Sequence, residues 1–145
     1  MRFPTRADIV RLNRRHLDNA GEEFIGADNL LNEDSLEWVL EAIQHPLFGV
    51  DRYPTLTEKA ARLAWTIIRG HVFFDGNKRT GMSALEALLR MHGYGLAAGK
   101  EEMKEVALRV AGARGSYTYG EFVKWIRDKI QLRADSVSSF SSGTQ

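Results

Sequence analysis

The sequence predicts an all-α fold, a single compact bundle of about six helices. Three observations lead to it. Apolar residues recur with a helical period in successive segments, helix-capping signals stand in front of several of them, and no segment shows the alternation of a half-buried strand. No internal repeat is present. The 145 residues suit one domain large enough to bury a continuous core.

Thr5 caps a first helix, with Asp8 as the weaker partner of a capping box. Ile9, Leu12 and His16, flanked by Val10 and Leu17, form its apolar stripe, and Asn19-Ala20-Gly21 ends it. His16 reads as a hydrogen-bonded residue at the core edge rather than a ligand. Residues 22–32 form an irregular connection containing Gly26. Asp34, with Glu37 at the box position, caps a second helix whose Leu36, Val39, Leu40 and Ile43 face inward. Trp38 lies off that stripe and reads as a partly buried core residue or the flank of a cleft.

From His45 to Thr55 the period breaks at Pro46, Gly49 and Pro54. This apolar loop is either a lid or docking edge, or a segment tucked onto the core by Leu47 and Phe48. Thr55-Leu56-Thr57-Glu58 is a full capping box opening a third helix, with Ala60, Leu63, Ala64, Ile67, Ile68 and His71 on one face and an end near Phe73. A fourth helix runs from about Asn77 to His92, with Met82, Leu85, Leu88 and Leu89 inward. A fifth runs from Lys100 to about Arg114, with Met103, Val106, Ala107 and Val110 inward. Thr118 and Glu121 form a last capping box, and Phe122, Trp125, Ile126 and Ile130 complete a sixth helix. Residues 1–134 are therefore read as one helical domain and the serine-rich residues 135–145 as a disordered tail.

Twenty basic and nineteen acidic residues leave a formal charge of +1, which argues against nucleic acid or an anionic membrane as a partner. The absence of cysteine excludes disulfides and thiolate metal sites. The first residues lack an apolar signal region and no stretch is long enough to span a membrane, so a cytoplasmic location is expected.

The chemistry concentrates in the ten residues from His71 to Thr80. Asp75-Gly76 is a turn signal, and the next helix opens on Asn77, Lys78 and Arg79. Cations at a helix N-terminus are unfavourable unless an anion is present, so a phosphate would explain them. Gly76 would let backbone amides approach that anion, and Asn77 would fix the loop or donate to it. Lys78 would act as a point charge and Arg79 as a fork. Asp75 is a hard oxygen ligand suited to a magnesium ion touching phosphate oxygens. His71 has the chemistry of a base for a hydroxyl. Singly, each residue has a plain structural explanation; the ordered set between two helices does not share it.

The string His71-x-Phe73-x-Asp75-Gly76-Asn77-Lys78-Arg79 resembles the signature of the Fic/Doc family, and of its Doc (death-on-curing) branch, where Lys stands between Asn and Arg. The resemblance implies an enzyme that transfers part of ATP to a hydroxyl of a target protein. It makes His71 and Arg79 catalytic, with His71 the general base, and Asp75 the holder of Mg2+. It makes Gly76, Asn77, Lys78 and Arg79 the phosphate site, and the loop from His45 to Thr55 the flap that aligns the target. AMP-transferring members generally carry a second Gly where Lys78 stands and another Arg where Met82 stands. These departures favour a kinase reading: transfer of the terminal phosphoryl group to a Thr or Ser hydroxyl, with elongation factor Tu as the implied target and translation arrest as the outcome. AMP transfer is the alternative. A catalytically inactive binding module and a nucleic-acid-binding helical domain are the remaining classes. The sequence has no Ser/Thr-x-x-x-Glu-Gly/Asn inhibitory string, so a separate antitoxin is the expected restraint.

Overall fold

The computed structural model describes residues 1–113 and 115–134. The tail expected at residues 135–145 lies outside the described residues. Among the described residues there are six helices, α1 (Arg6–Ala20), α2 (Glu33–Gln44), α3 (Leu56–Arg69), α4 (Asn77–Met91), α5 (Lys100–Ala111) and α6 (Tyr119–Lys129). The all-α expectation holds, with one addition. β1 (Tyr94–Leu96) pairs antiparallel with β2 (Ile130–Leu132), in the register Tyr94↔Leu132, Gly95↔Gln131 and Leu96↔Ile130. Three residues are too few to display alternation, so this clasp left no signal in the sequence.

The α3–α4 pair is the centre of the bundle: α2 and α6 pack on α3, while α1 and α5 pack on α4. Their inward faces form one apolar cluster containing Ile9, Leu36, Ile43, Leu63, Ile67, Phe73, Leu85, Leu88 and Phe122, all fully buried. Trp65 of α3 meets Tyr119 of α6 edge-on, with ring centroids 5.6 Å apart at 84°.

The caps explain where the helices begin, and correct one expectation. Thr5 and Thr118 make both halves of their capping boxes, with Asp8 and Glu121. Thr55 accepts from the Glu58 N–H at 3.1 Å, which is one half of the box expected there. Asp34 is not a cap. Helix α2 starts at Glu33, behind Asn32, and the Asn32 amide is used elsewhere: it donates to the carbonyls of Gly70 and His71, each at 2.9 Å. With its Nδ2 turned to those carbonyls, the side chain makes no cap hydrogen bond to the N–H groups of α2.

Two helices stop earlier than their patterns suggested. Helix α3 ends at Arg69 rather than near Phe73, and α5 ends at Ala111 on Gly112, whose φ is 79°. On α1 the buried positions are Ile9, Asn13 and Leu17, so the inward stripe carries an asparagine that hydrophobic periodicity passes over. Trp38 is 47% exposed on α2. The loop at residues 45–55 is not tucked onto the core by Leu47 and Phe48, which are exposed; Tyr53 is the loop residue that packs against the core. Leu47 and Val50 exchange two backbone hydrogen bonds of 2.9 Å, Phe48 and Gly49 turn with φ of 49° and 78°, and Phe48 is 94% exposed. Two successive positive φ values are the signature of a tight hairpin turn.

Candidate active site

The path from α3 to α4 is built around a backbone that leaves the helix abruptly. His71 has φ of 47°, a left-handed conformation that costs a non-glycine residue about 1–3 kcal/mol and persists only where its surroundings enforce it. The enforcement is visible. Val72 accepts from the N–H groups of Leu31 and Asn32 at 2.8 and 3.0 Å, and the Asn32 side chain holds the two carbonyls before it. Phe73 is then driven fully into the core and pairs as a bridge with Leu30. The result turns the His71 side chain outward. Its Nδ1 lies 3.2 Å from the Arg69 carbonyl. A carbonyl only accepts, so Nδ1 carries a proton in that contact, and in the neutral ring the lone pair is then on Nε2.

Asn77, the first residue of α4, clamps the turn from the other side. Its Oδ1 accepts from the Phe73 N–H and its Nδ2 donates to the Phe73 carbonyl, both at 2.8 Å. Gly76 precedes it with φ of 80°, and a Cβ there would lie 3.0 Å from Asn13 Nδ2. Glycine is thus required twice, for its conformation and for its lack of a side chain. Buried Asn13 donates to the Asp75 carbonyl at 2.9 Å and to Thr80 Oγ1 at 3.1 Å. It accepts from Asn29 Nδ2 at 2.9 Å, while the Asn29 carbonyl accepts from the Phe74 N–H at 3.1 Å. A buried amide network therefore ties α1, the connection after it and the turn into one piece.

The space in front of this turn is a cavity of about 320 Å³. His71, Asp75, Gly76, Asn77, Lys78 and Arg79 all line it, so the residues singled out in the sequence converge on one place. Lys78 and Arg79 are exposed there, and Met82 is buried in the core one turn further on. No side chain caps α4, and its first turn carries no acidic residue, whereas the first turn of each of the other five helices does. The helix dipole and two cations together make this end attractive to an anion.

Two ionisable lining residues were not assigned to the site from sequence, Glu22 and His16. Helix α1 ends on Gly21 with a Schellman turn, Glu22 N–H donating to the Leu17 carbonyl at 2.9 Å and Gly21 N–H to that of Asp18 at 3.2 Å. That turn carries the Glu22 carboxyl to Asp75. A hydrogen bond between the two carboxyl groups is the main reason Asp75 is held below the usual carboxylate range; the Gly76 N–H at 2.7 Å and the charges of Lys78 and Arg79 act the same way. The same contact pushes Glu22 up. The left-handed stop at Gly21 was legible in the sequence; its proximity to Asp75 was not. His16 Nε2 lies 2.7 Å from Ser83 Oγ of α4. Burial first, then Arg79 and Arg15, push its pKa below the ordinary histidine value.

Asp75 and Glu22 offer hard oxygen atoms beside the cationic helix end. Among the described residues no group of three or more His, Asp or Glu side chains could hold a metal ion. That donor set fits a magnesium ion bound through one or two carboxylates and completed by phosphate and water oxygens, rather than an all-protein cage.

The family model described as Fic/DOC family matches residues 3–89, which run from the start of α1 through nearly all of α4. The chain belongs to the Fic/DOC family, and within it to the Doc branch. Among its relatives is Toxin Doc of Mycolicibacterium smegmatis (strain ATCC 700084 / mc(2)155), 34% identical over 105 residues that cover 68% of this chain and 81% of that protein. Among the described residues, no helix is long and apolar enough to cross a membrane.

Proposed function

We propose that the protein is a Doc-type toxin that moves the terminal phosphoryl group of ATP to a threonine or serine hydroxyl of a target protein, with elongation factor Tu as the candidate target. The target hydroxyl loses its proton to Nε2 of His71 as its oxygen bonds to the γ-phosphorus. The bond from that phosphorus to the ADP oxygen breaks, and ADP leaves. Gly76, Asn77, Lys78 and Arg79 form the phosphate site, with Arg79 neutralising charge that builds on the transferring group. Asp75, with Glu22 beside it, would hold Mg2+, which neutralises phosphate charge. The protein acts in the cytoplasm, where ATP and translation factors are found. The family and the name of the Mycolicibacterium smegmatis relative support a separate antitoxin as its partner.

The observation that favours phosphoryl over AMP transfer is the burial of Met82, 5% exposed, with Lys78 in place of a second glycine. The α4 cations that line the cavity are Lys78 and Arg79, and the next position along that helix where AMP-transferring members carry an arginine is the buried Met82. The test is transfer from ATP labelled separately at the α and γ positions, in lysate and onto purified elongation factor Tu with Mg2+. Label from the γ position is expected, and it should fall by about 10²-fold or more in His71→Ala. Label entering from the α position alone would replace this reading with AMP transfer. No label on any protein would leave a binding module.

A further inference from the structure

The carbonyl of Asp75 and the N–H of Gly76 belong to one peptide unit, and there is no cis peptide bond among the described residues. In a trans unit these two groups point in opposite directions. The carbonyl points into the protein, where Asn13, fully buried, donates to it at 2.9 Å. The N–H therefore points the other way, and Asp75 Oδ1 accepts from it at 2.7 Å. Both residues line the cavity.

A unit of this kind turns over easily unless something holds it, because glycine has no side chain to resist the change in φ. Turned over, it would direct a carbonyl oxygen outward beside Lys78 and Arg79, where an anion is to bind. It would also withdraw the N–H that anchors the Asp75 carboxylate. The units before it are held by other residues: Asn77 clamps both backbone groups of Phe73, and the Asn29 carbonyl accepts from the Phe74 N–H. The 75–76 unit is held by Asn13. A carbonyl only accepts, so the atom facing it is Nδ2. The second Nδ2 proton goes to Thr80 Oγ1 at 3.1 Å, and Oδ1 accepts from Asn29 Nδ2 at 2.9 Å. Each end of the amide is engaged, which fixes its orientation.

We propose that Asn13 is a positioning residue: by holding the 75–76 carbonyl inside the protein it keeps the Gly76 N–H, and with it the Asp75 carboxylate, turned toward the phosphate site. The proposal rests on the reading that Asp75 holds Mg2+. Asn13 touches neither the nucleotide nor the metal, because it does not line the cavity.

The test uses Asn13→Leu, which keeps the volume and removes the amide, and Asn13→Ser, which removes it without placing an apolar group among polar ones. Asn29→Gly is the control for general loosening, since it takes a donor from the same network and suits the left-handed backbone at φ of 55°. Two quantities are read: ATP affinity by calorimetry with and without Mg2+, and the Gly76 amide proton resonance. In both Asn13 variants the factor by which Mg2+ tightens ATP binding should shrink about tenfold or more. Metal-free ATP affinity should stay within about threefold of wild type. The Gly76 resonance, downfield in the wild type because the N–H bonds a carboxylate, should move upfield. Asn29→Gly should keep both readings near wild type, and Asn13→Leu should cost nothing further in an Asp75→Asn background. Equal losses with and without Mg2+ overturn the proposal, as do an unmoved Gly76 resonance or the same losses in Asn29→Gly. If Mg2+ does not tighten ATP binding even in the wild type, the reading of Asp75 as metal holder fails by itself. The Gly76 resonance then decides the claim on Asn13: unmoved in both variants it overturns the claim, and moved upfield it upholds the hold on the 75–76 unit.

Discussion

Two histidines line one cavity and are held there by opposite means. His71 is exposed on a left-handed backbone, and its Nδ1 contact with the Arg69 carbonyl leaves Nε2 for chemistry. His16 is half-buried between α1 and α4, with Nε2 engaged by Ser83 and with Arg79 and Arg15 near enough to oppose a second positive charge. The unfolded chain would take up a proton on residue 16 near pH 6.5. The folded protein takes it up only at lower pH, so between those values the unfolded state binds more protons. Stability therefore falls as pH drops through about 6.5 toward the depressed folded value. The expected result is that the melting temperature drops more between pH 7.5 and 5.5 in the wild type than in His16→Gln. Equal drops would show that protonation of residue 16 does not oppose folding.

The element that matters most is the α3–α4 pair, because one helix delivers His71 and the other presents Lys78 and Arg79. Their backbones approach closely at Gly81, where a Cβ would fall 2.5 Å from Ile68 Cγ1 and 3.1 Å from the Ala64 carbonyl oxygen. An alanine gains about 1 kcal/mol of helix propensity over glycine. Overpacking a filled core costs about 1–3 kcal/mol, and here the clash involves both a fully packed side chain and a backbone atom. Gly81→Ala should therefore lower the midpoint of urea unfolding despite the gain in propensity. It should also reduce γ-phosphoryl transfer, since separating the helices moves the base relative to the cations. A raised midpoint would mean that residue 81 is merely a weak point in α4.

At the scale of the whole molecule, charge is balanced and locally sorted. The α1 residue Arg6 bridges to Glu33, Glu37 and Asp28, while the cations at the start of α4 face an open cavity. A formal charge of +1 gives no general reason to expect nucleic acid as a partner. Titration of duplex DNA or RNA at increasing salt should give weak binding with a shallow slope; tight binding with a steep slope would return Lys78 and Arg79 to a nucleic-acid role. The family model ends at residue 89, and α5, α6 and the two-stranded clasp extend the bundle beyond it. Ala111 at the end of α5 nevertheless lines the cavity, so this later part helps to enclose the site.

The sequence alone determined the helices and the turn that carries the signature. Capping residues, apolar spacing and the Asp75-Gly76 punctuation act over a few neighbouring residues, and local chemistry is what a sequence records directly. That is why Thr5, Thr118 and Gly76 stand where they were expected, and why His71, Asp75, Lys78 and Arg79 could be picked out together. Tertiary structure decided what local chemistry cannot specify: that the Asn32 side chain holds the carbonyls of Gly70 and His71, that Asn13 is buried behind the turn, and that Glu22 meets Asp75. It also decided that Lys59 is buried beneath Asp51 and Tyr53 of the 45–55 loop. Each of these contacts joins residues brought together only by packing, and a polar side chain with several possible partners takes the one that burial leaves most in need.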